Sequence, residues 1–182
     1  ALKFGNFRLT GSKTSSYYVD LRSIPSFPEA FNTVISSYVE AIRGIIGLNN
    51  IDAVAAIPTA GLAYGSVVAH QTRKPLIYVR SGEKDHGLLK KIEGVMSPGC
   101  RVLVIDDLIT TGKSIINTAS AIRSEGGVVS DSLVLIDRLE DGQESLAKEG
   151  VNLHAITNIF EVAELMNELG MINENQVEAI RR

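Results

Sequence analysis

Asp106 and Asp107 stand side by side after four apolar residues, Val102 to Ile105, and shortly before a polar turn, Thr110-Thr111-Gly112-Lys113-Ser114. The apolar run is too short for a helix and rich in β-branched side chains, so it predicts a strand buried on both faces of a parallel sheet. The strand is expected to end on the two acids. An open α/β sheet holds its ligands beyond the carboxyl ends of its strands, and both carboxylates are expected to face that crevice rather than the core. After the turn, Ile115, Ile116, Ala119 and Ile122 predict a helix closed by Gly126-Gly127. Backbone N–H groups at the start of that helix can cradle a phosphate, with hydroxyls at hand and a glycine that permits close approach. Two carboxylates would repel a bare phosphate, so their task is the neutral or cationic part of the same ligand. Ribose hydroxyls and a hydrated Mg²⁺ answer that description. An ordinary strand, loop and helix with a solvated acid pair is the plain alternative. Gly112-Lys113-Ser114 imitates the tail of a Walker A loop, but that motif requires a glycine where this chain has Asp107.

Elements that could position these groups follow from periodicity. Phe7, Leu9, Tyr17 and Val19 alternate around a Thr10-Gly11-Ser12-Lys13 turn and predict a hairpin outside the later pattern. Beyond Pro25 and Pro28, apolar residues from Phe31 to Ile46 recur with the helical period and predict one long amphipathic helix. Strands at 53–57, 76–79, 102–105, 128–136 and 153–157 then alternate with helices at 61–72, 115–125 and 142–149. This rhythm implies a mostly parallel sheet with right-handed crossovers. Two short helices finish the chain, around 162–169 and from Glu174, where Asn173 and Gln176 can form a cap.

Composition narrows the class. At 182 residues and 45% hydrophobic content, the chain suits one domain, 1–182, with a substantial core. A net charge of −3 with both signs interspersed argues against nucleic acid or an anionic membrane as partner. The most apolar stretch, Ala53 to Ala69, is interrupted by Pro58, Gly61 and Gly65, and no secretory signal pattern is visible. A cytoplasmic protein is expected. Cys100, the sole cysteine, reads as a packed thiol, and His70 and His154 as structural. Between Arg80 and Pro98 the chain is polar and glycine-punctuated and carries Lys84, His86, Lys90 and Lys91. Such a loop, expected to be mobile over about 81–95, is of functional type, and a basic one suits a crevice that holds a pyrophosphate.

The phrase VLVIDDLITTGKS resembles the phosphoribosyl pyrophosphate signature of the type I phosphoribosyltransferases. Glu83-Lys84-Asp85-His86-Gly87 is similar to the catalytic loop of the orotate phosphoribosyltransferases in particular. Phe4-Gly5-Asn6-Phe7, Ser15 to Arg22, Ala63-Tyr64-Gly65 and Ile136-Asp137-Arg138 also resemble that family, so the likeness covers nearly the whole chain. It implies the type I phosphoribosyltransferase fold, with an N-terminal hood over about 1–24. The implied reaction joins orotate to phosphoribosyl pyrophosphate with Mg²⁺ as cofactor, the metal carried by substrate and reached through water from Asp106 and Asp107. Lys84, His86, Asp106 and Asp107 are the implied catalytic residues. Arg80, Leu108, Ile109, Thr110, Thr111, Gly112, Lys113 and Ser114 would join them in binding phosphoribosyl pyrophosphate. Orotate would fall to Thr110, Arg138, Tyr17 and Tyr18. Arg138 offers a planar fork suited to a carboxylate, with a structural ion pair to Asp137 or Glu140 as the lesser alternative. The two tyrosines could cover a base or simply fill the core. Many bacterial members of the family have lysines where this chain has Thr10, Gly65 and Ser81, and Lys13, Lys74 and Arg80 are cations available instead. The resemblance further implies a homodimer whose loop is shared across the interface. Rival readings are a phosphoribosyltransferase for another nucleobase and a regulator that senses phosphoribosyl pyrophosphate without turning it over.

Overall fold

The computed structural model describes residues 2–8, 14–80 and 91–181. Strands β3 (Ala53–Ala56), β4 (Leu76–Val79), β5 (Ile92–Glu93), β6 (Arg101–Ile109), β7 (Val128–Asp137) and β8 (Asn152–Asn158) form one sheet in the order β5-β4-β3-β6-β7-β8. All neighbours are parallel except β5, which runs antiparallel to β4. Within β6, Leu103 and Ile105 join the core on one face of the sheet, while Val102 and Val104 join the core on the other. Burying each such side chain contributes roughly 1.5–3 kcal/mol. That two-sided burial fixes β6 at the centre of the sheet.

Helices α1 (Pro28–Ala41) and α2 (Ala60–Thr72) pack on the Leu103 and Ile105 face, together with α5 (Ile159–Glu168) and α6 (Glu174–Arg181). Helices α3 (Lys113–Ser124) and α4 (Gly142–Lys148) cover the other. The N-terminal hairpin, β1 (Leu2–Arg8) and β2 (Thr14–Val19), pairs antiparallel and places Tyr17 and Val19 in the first core. Helix α6 holds it there: Val177 and Ile180 are buried in the same core, and the Ser16 hydroxyl donates to the Ala179 carbonyl at 3.0 Å.

Several boundaries differ from the periodicity. Strand β6 does not stop at the acids but continues to Ile109, because β7 runs alongside it and pairs Asp106 with Val134 and Leu108 with Ile136. Helix α1 ends at Ala41 and passes into a π-helical turn, Ile42–Ile46, so the expected single helix has two parts with one apolar face. The expected loop over 81–95 is shorter than the polar text suggests. Ile92 is buried and Ile92–Glu93 forms β5, with the Arg80 amide donating to the Lys91 carbonyl at 3.0 Å. Helix α5 begins at Ile159, ahead of its expected start, because Asn158 and Glu161 form a reciprocal capping box. At α6, Asn173 and Gln176 bond each other's backbone as expected.

Gly65 sits where α2 crosses β3, and a Cβ built on it would lie 2.5 Å from the Ala56 Cβ. Side-chain volume at this position must push helix from strand. We expect Gly65→Ala to lower the stability of the fold by about 1–3 kcal/mol, read from urea denaturation; an unchanged midpoint would show that α2 shifts without cost.

Candidate functional site

Strand ends, not loops alone, build the site. Asp106 is 9% exposed and Asp107 is half-buried, so Asp106 does not simply face an open crevice as the sequence suggests. Its backbone lies under the first turn of α2, where a Cβ on Gly61 would stand 2.9 Å from the Asp106 Cα and 2.6 Å from its Oδ1. Only glycine permits that approach. The Tyr38 hydroxyl donates to the Asp106 carbonyl at 2.7 Å, and the Asp107 amide donates to the Asp106 carboxylate at 2.9 Å. Burial, and then the neighbouring Asp107 charge, push the Asp106 carboxyl up to about 8. Asp107 is also raised by burial, against which hydrogen bonds from its surroundings and the charge of Arg22 pull it down. Without a ligand the pair therefore keeps a proton near neutrality.

The phosphate-type turn follows directly. Gly112 caps α3 in the left-handed conformation, φ 77°, where a Cβ would meet the Gly142 carbonyl and Leu146, and no side chain caps the helix start. The first amides of a helix lack intrahelical acceptors, so they are available to an anion here. Thr111, Lys113 and Ser114 are exposed around them, Thr110 is half-exposed, and Leu108 and Ile109 belong to the strand itself.

Arg138 follows β7 and is fixed by its amide, which donates to the Ile109 carbonyl at 3.1 Å, one residue before Thr110. Its side chain is 8% exposed, with the guanidinium 4.8 Å from the centre of the Tyr17 ring and 3.4 Å from the Glu140 carboxylate. Asp137 instead accepts from the Leu139 amide. The Arg138 Nε is buried with no hydrogen-bond partner among the described residues. A buried guanidinium donor left unpaired is costly, which points to an external acceptor. Tyr17 is thus both core and cover: buried in the apolar cluster, it also presents its ring to Arg138.

Tyr18 lies half-buried beside Phe7, and its hydroxyl accepts from Arg22 Nη2 at 3.0 Å. Arg22 also pairs with Asp20 at 2.9 Å. The sequence pattern gives no sign that this arginine matters. It becomes visible because Tyr64, fully buried on α2, donates its hydroxyl to the Leu21 carbonyl at 2.6 Å, which brings the hood close to the acids. Tyr64 and Gly65 lie within a packed helix, and Gly61, one turn earlier, is the residue against the acids.

Among the other expected cations, Arg80 lies at the same end of the sheet and pairs with Glu93 at 3.1 Å. Lys74 stands at the far end, where its charge acts on Asp52. Lys13, Lys84 and His86 lie outside the described residues, as does Ser81. His70 is exposed on α2, His154 pairs with Asp131 at 2.8 Å, and burial raises the Cys100 thiol.

Comparison with known proteins agrees with this geometry. The phosphoribosyl transferase domain family matches residues 28–167. The orotate phosphoribosyltransferase of Cenarchaeum symbiosum is 41% identical over 94% of this chain and 86% of its own. The crystal structure of the orotate phosphoribosyltransferase from Aeropyrum pernix superposes with a TM-score of 0.81 at 34% identity, covering 95% of this chain and 94% of that one. The chain belongs to the orotate phosphoribosyltransferase family. Its fold is accordingly that of the type I phosphoribosyltransferases, with hood, central sheet and flanking helices. The Leishmania donovani UMP synthase structure contains the same fold as part of a longer chain, at TM-score 0.88 and 30% identity over 99% of this chain and 38% of that one. Among the described residues no helix is long and apolar enough to cross a membrane.

The acid pair also suits a family cation. The described residues contain no cluster of three or more His, Cys, Asp or Glu side chains that could ligate a metal, so among them the protein ligands at the acids number at most Asp106 and Asp107. Mg²⁺ is commonly held in this way, by one or two carboxylates with water and substrate phosphates.

The raised Asp106 value gives a stability signature. In the unfolded chain an Asp ionises near 3.9, whereas the folded group keeps its proton up to about 8. Its contribution is full below the unfolded value and declines as pH rises through the folded one. We expect Asp106→Asn, which cannot ionise, to melt higher than the wild type at pH 8 and to show a flatter pH dependence between 5 and 8. Thermal melts of the ligand-free proteins that run parallel across this range would show that Asp106 ionises freely.

Proposed function

We propose that the chain transfers the 5-phosphoribosyl group of phosphoribosyl pyrophosphate to N1 of orotate, giving orotidine 5′-monophosphate and pyrophosphate in pyrimidine synthesis. The observation that carries the reading is the buried guanidinium of Arg138, whose Nε has no hydrogen-bond partner among the described residues and which is held one residue from the phosphate-type turn beneath an aromatic ring. Orotate is a planar base with a carboxylate. Arg138 can take that carboxylate through its fork of donors, with Tyr17 flanking the guanidinium and Tyr18 and Thr110 as further base-side groups. The 5′-phosphate of the donor is assigned to Thr110, Thr111, Gly112, Lys113 and Ser114, with Leu108 and Ile109 supplying backbone and Arg80 reaching the diphosphate.

Breaking the bond from C1′ to the diphosphate leaves positive charge on the ribosyl centre and adds negative charge to the leaving group. Catalysis therefore rests on position and electrostatics. Asp106 and Asp107 accept from the ribose hydroxyls and favour the cationic centre once the shared proton has left. When bound, Mg²⁺ would neutralise diphosphate charge, with the two acids holding it through water. Lys84 and His86 are assigned to the diphosphate, His86 as its proton donor, in a loop that excludes water from the ribosyl cation. A single domain over 1–182, a cytoplasmic setting and a two-fold homodimer complete the proposal.

Loss of orotate absorbance in the presence of phosphoribosyl pyrophosphate and Mg²⁺ tests the reaction; turnover of another base with orotate untouched would overturn it. Within that assay Arg138→Ala should raise the orotate KM by about 10–100-fold, the loss of one charge-assisted bond pair, and the phosphoribosyl pyrophosphate KM far less. Equal rises would remove Arg138 from the base side.

The dimer proposal places Lys84 in the partner's site. Lys84→Ala and Asp106→Asn/Asp107→Asn dimers should each be nearly inactive, and random exchange between them should restore roughly a quarter of wild-type activity per subunit, one intact site in each mixed dimer. No recovery after confirmed exchange would place Lys84 within its own subunit.

A further inference from the structure

The reaction assigned above needs positive charge where the diphosphate departs, and among the described residues Arg80, paired with Glu93, is so far the cation assigned there. Arg138 is buried on the base side and engaged with Tyr17 and Glu140. Arg22 is different. Its side chain is 59% exposed, but its orientation is set by Nε on the Asp20 carboxylate at 2.9 Å and Nη2 on the Tyr18 hydroxyl at 3.0 Å. The Tyr18 ring lies 5.9 Å from the guanidinium carbon. These contacts use one edge of the group and leave Nη1 without a partner among the described residues.

The chain path brings this arginine to the acids. Tyr64 ties the Leu21 carbonyl to α2, one turn from the Gly61 that abuts Asp106, and Tyr38 beside Tyr64 bonds the Asp106 carbonyl. Both the Tyr64 phenol and the Arg22 guanidinium lie within reach of the Asp107 charge. Tyr17 and Tyr18, adjacent on β2, point to opposite faces of the strand, so Arg138 and Arg22 are held by different faces of the hood.

We propose that Arg22 is a further substrate-binding residue, whose guanidinium receives the diphosphate of the phosphoribosyl donor opposite Asp107. A planar fork already oriented by Asp20 and Tyr18 loses little freedom on meeting a diphosphate and favours it more as negative charge accumulates there.

This inference rests on the phosphoribosyl reading but not on the identity of the base, so inorganic pyrophosphate is the probe. In calorimetric titrations with Mg²⁺ in the buffer, Arg22→Ala should weaken pyrophosphate binding about tenfold, the loss of a charged hydrogen bond. The phosphoribosyl pyrophosphate KM should rise by a similar factor, with the orotate KM and thermal midpoint nearly unchanged. Arg22→Gln, which keeps a donor for Tyr18 without the charge, should behave like Arg22→Ala, and Arg22→Lys should recover part of the affinity. Wild-type pyrophosphate affinity in folded Arg22→Ala or Arg22→Gln overturns the proposal, and so does a loss confined to orotate. Failure of the wild type to bind pyrophosphate would overturn both this inference and the phosphoribosyl reading, whereas turnover of a different base would overturn only the choice of orotate.

Discussion

Two carboxylates on consecutive residues of a nearly buried strand end cannot both ionise without help, and much of the molecule is arranged around that constraint. Desolvation and mutual repulsion raise Asp106 to about 8, and burial raises Asp107 as well, against the pull of hydrogen bonds and Arg22. Around them the packing is close. Gly61 brings α2 onto the strand, Tyr38 satisfies the Asp106 carbonyl, and Tyr64 joins the same helix to the hood. The acids thus sit in a frame of buried hydroxyl bonds that holds position while their charge state is left to the ligand.

The hood belongs to this frame. Its strand β2 carries Tyr17 onto Arg138, its following turn carries Arg22 toward Asp107, and its back is held by α6 through Ser16 and the apolar pair Val177 and Ile180. Sequence separation between these parts is large, with Ser16 bonded to Ala179. The first and last described elements therefore close over the crevice together. Small displacement of α6 would be felt at Tyr17, and through it at the base side, without touching the phosphate-type turn.

Legibility followed the physics of each signal. Buried parallel strands write themselves as short β-branched runs, so β3, β4, β6, β7 and β8 are all visible in the sequence, as is the turn after β6. Strand β5 is hidden because Ile92 and Glu93 lie in charged, glycine-rich text and owe their conformation to pairing with β4. The acids are legible as residues but not in their degree of burial, which depends on a glycine in a helix distant in sequence. Arg138 stands out as a cation at a strand end, whereas Arg22 looks like any exposed arginine until Tyr64 shows where the hood is tied. Tertiary contacts between distant segments have no local periodicity to announce them.

Arg138 and Asp106 also explain why one ligand should fill both ends of the crevice. Each is held in a state that the unliganded fold satisfies poorly: a guanidinium whose buried Nε has no partner among the described residues, beside a 3.4 Å contact to Glu140 and the Tyr17 ring, and a carboxyl kept neutral by burial. A ligand that brings only an anion relieves the first and leaves the acids unchanged. One that brings only hydroxyls or positive charge relieves the second. In the proposed reaction an anionic base and a ribosyl donor together would relieve both, the base giving Arg138 an acceptor and the sugar giving the acids donors. On that proposal the unliganded site favours the pair of substrates, since neither alone would recover what the fold gives up to keep these groups in place.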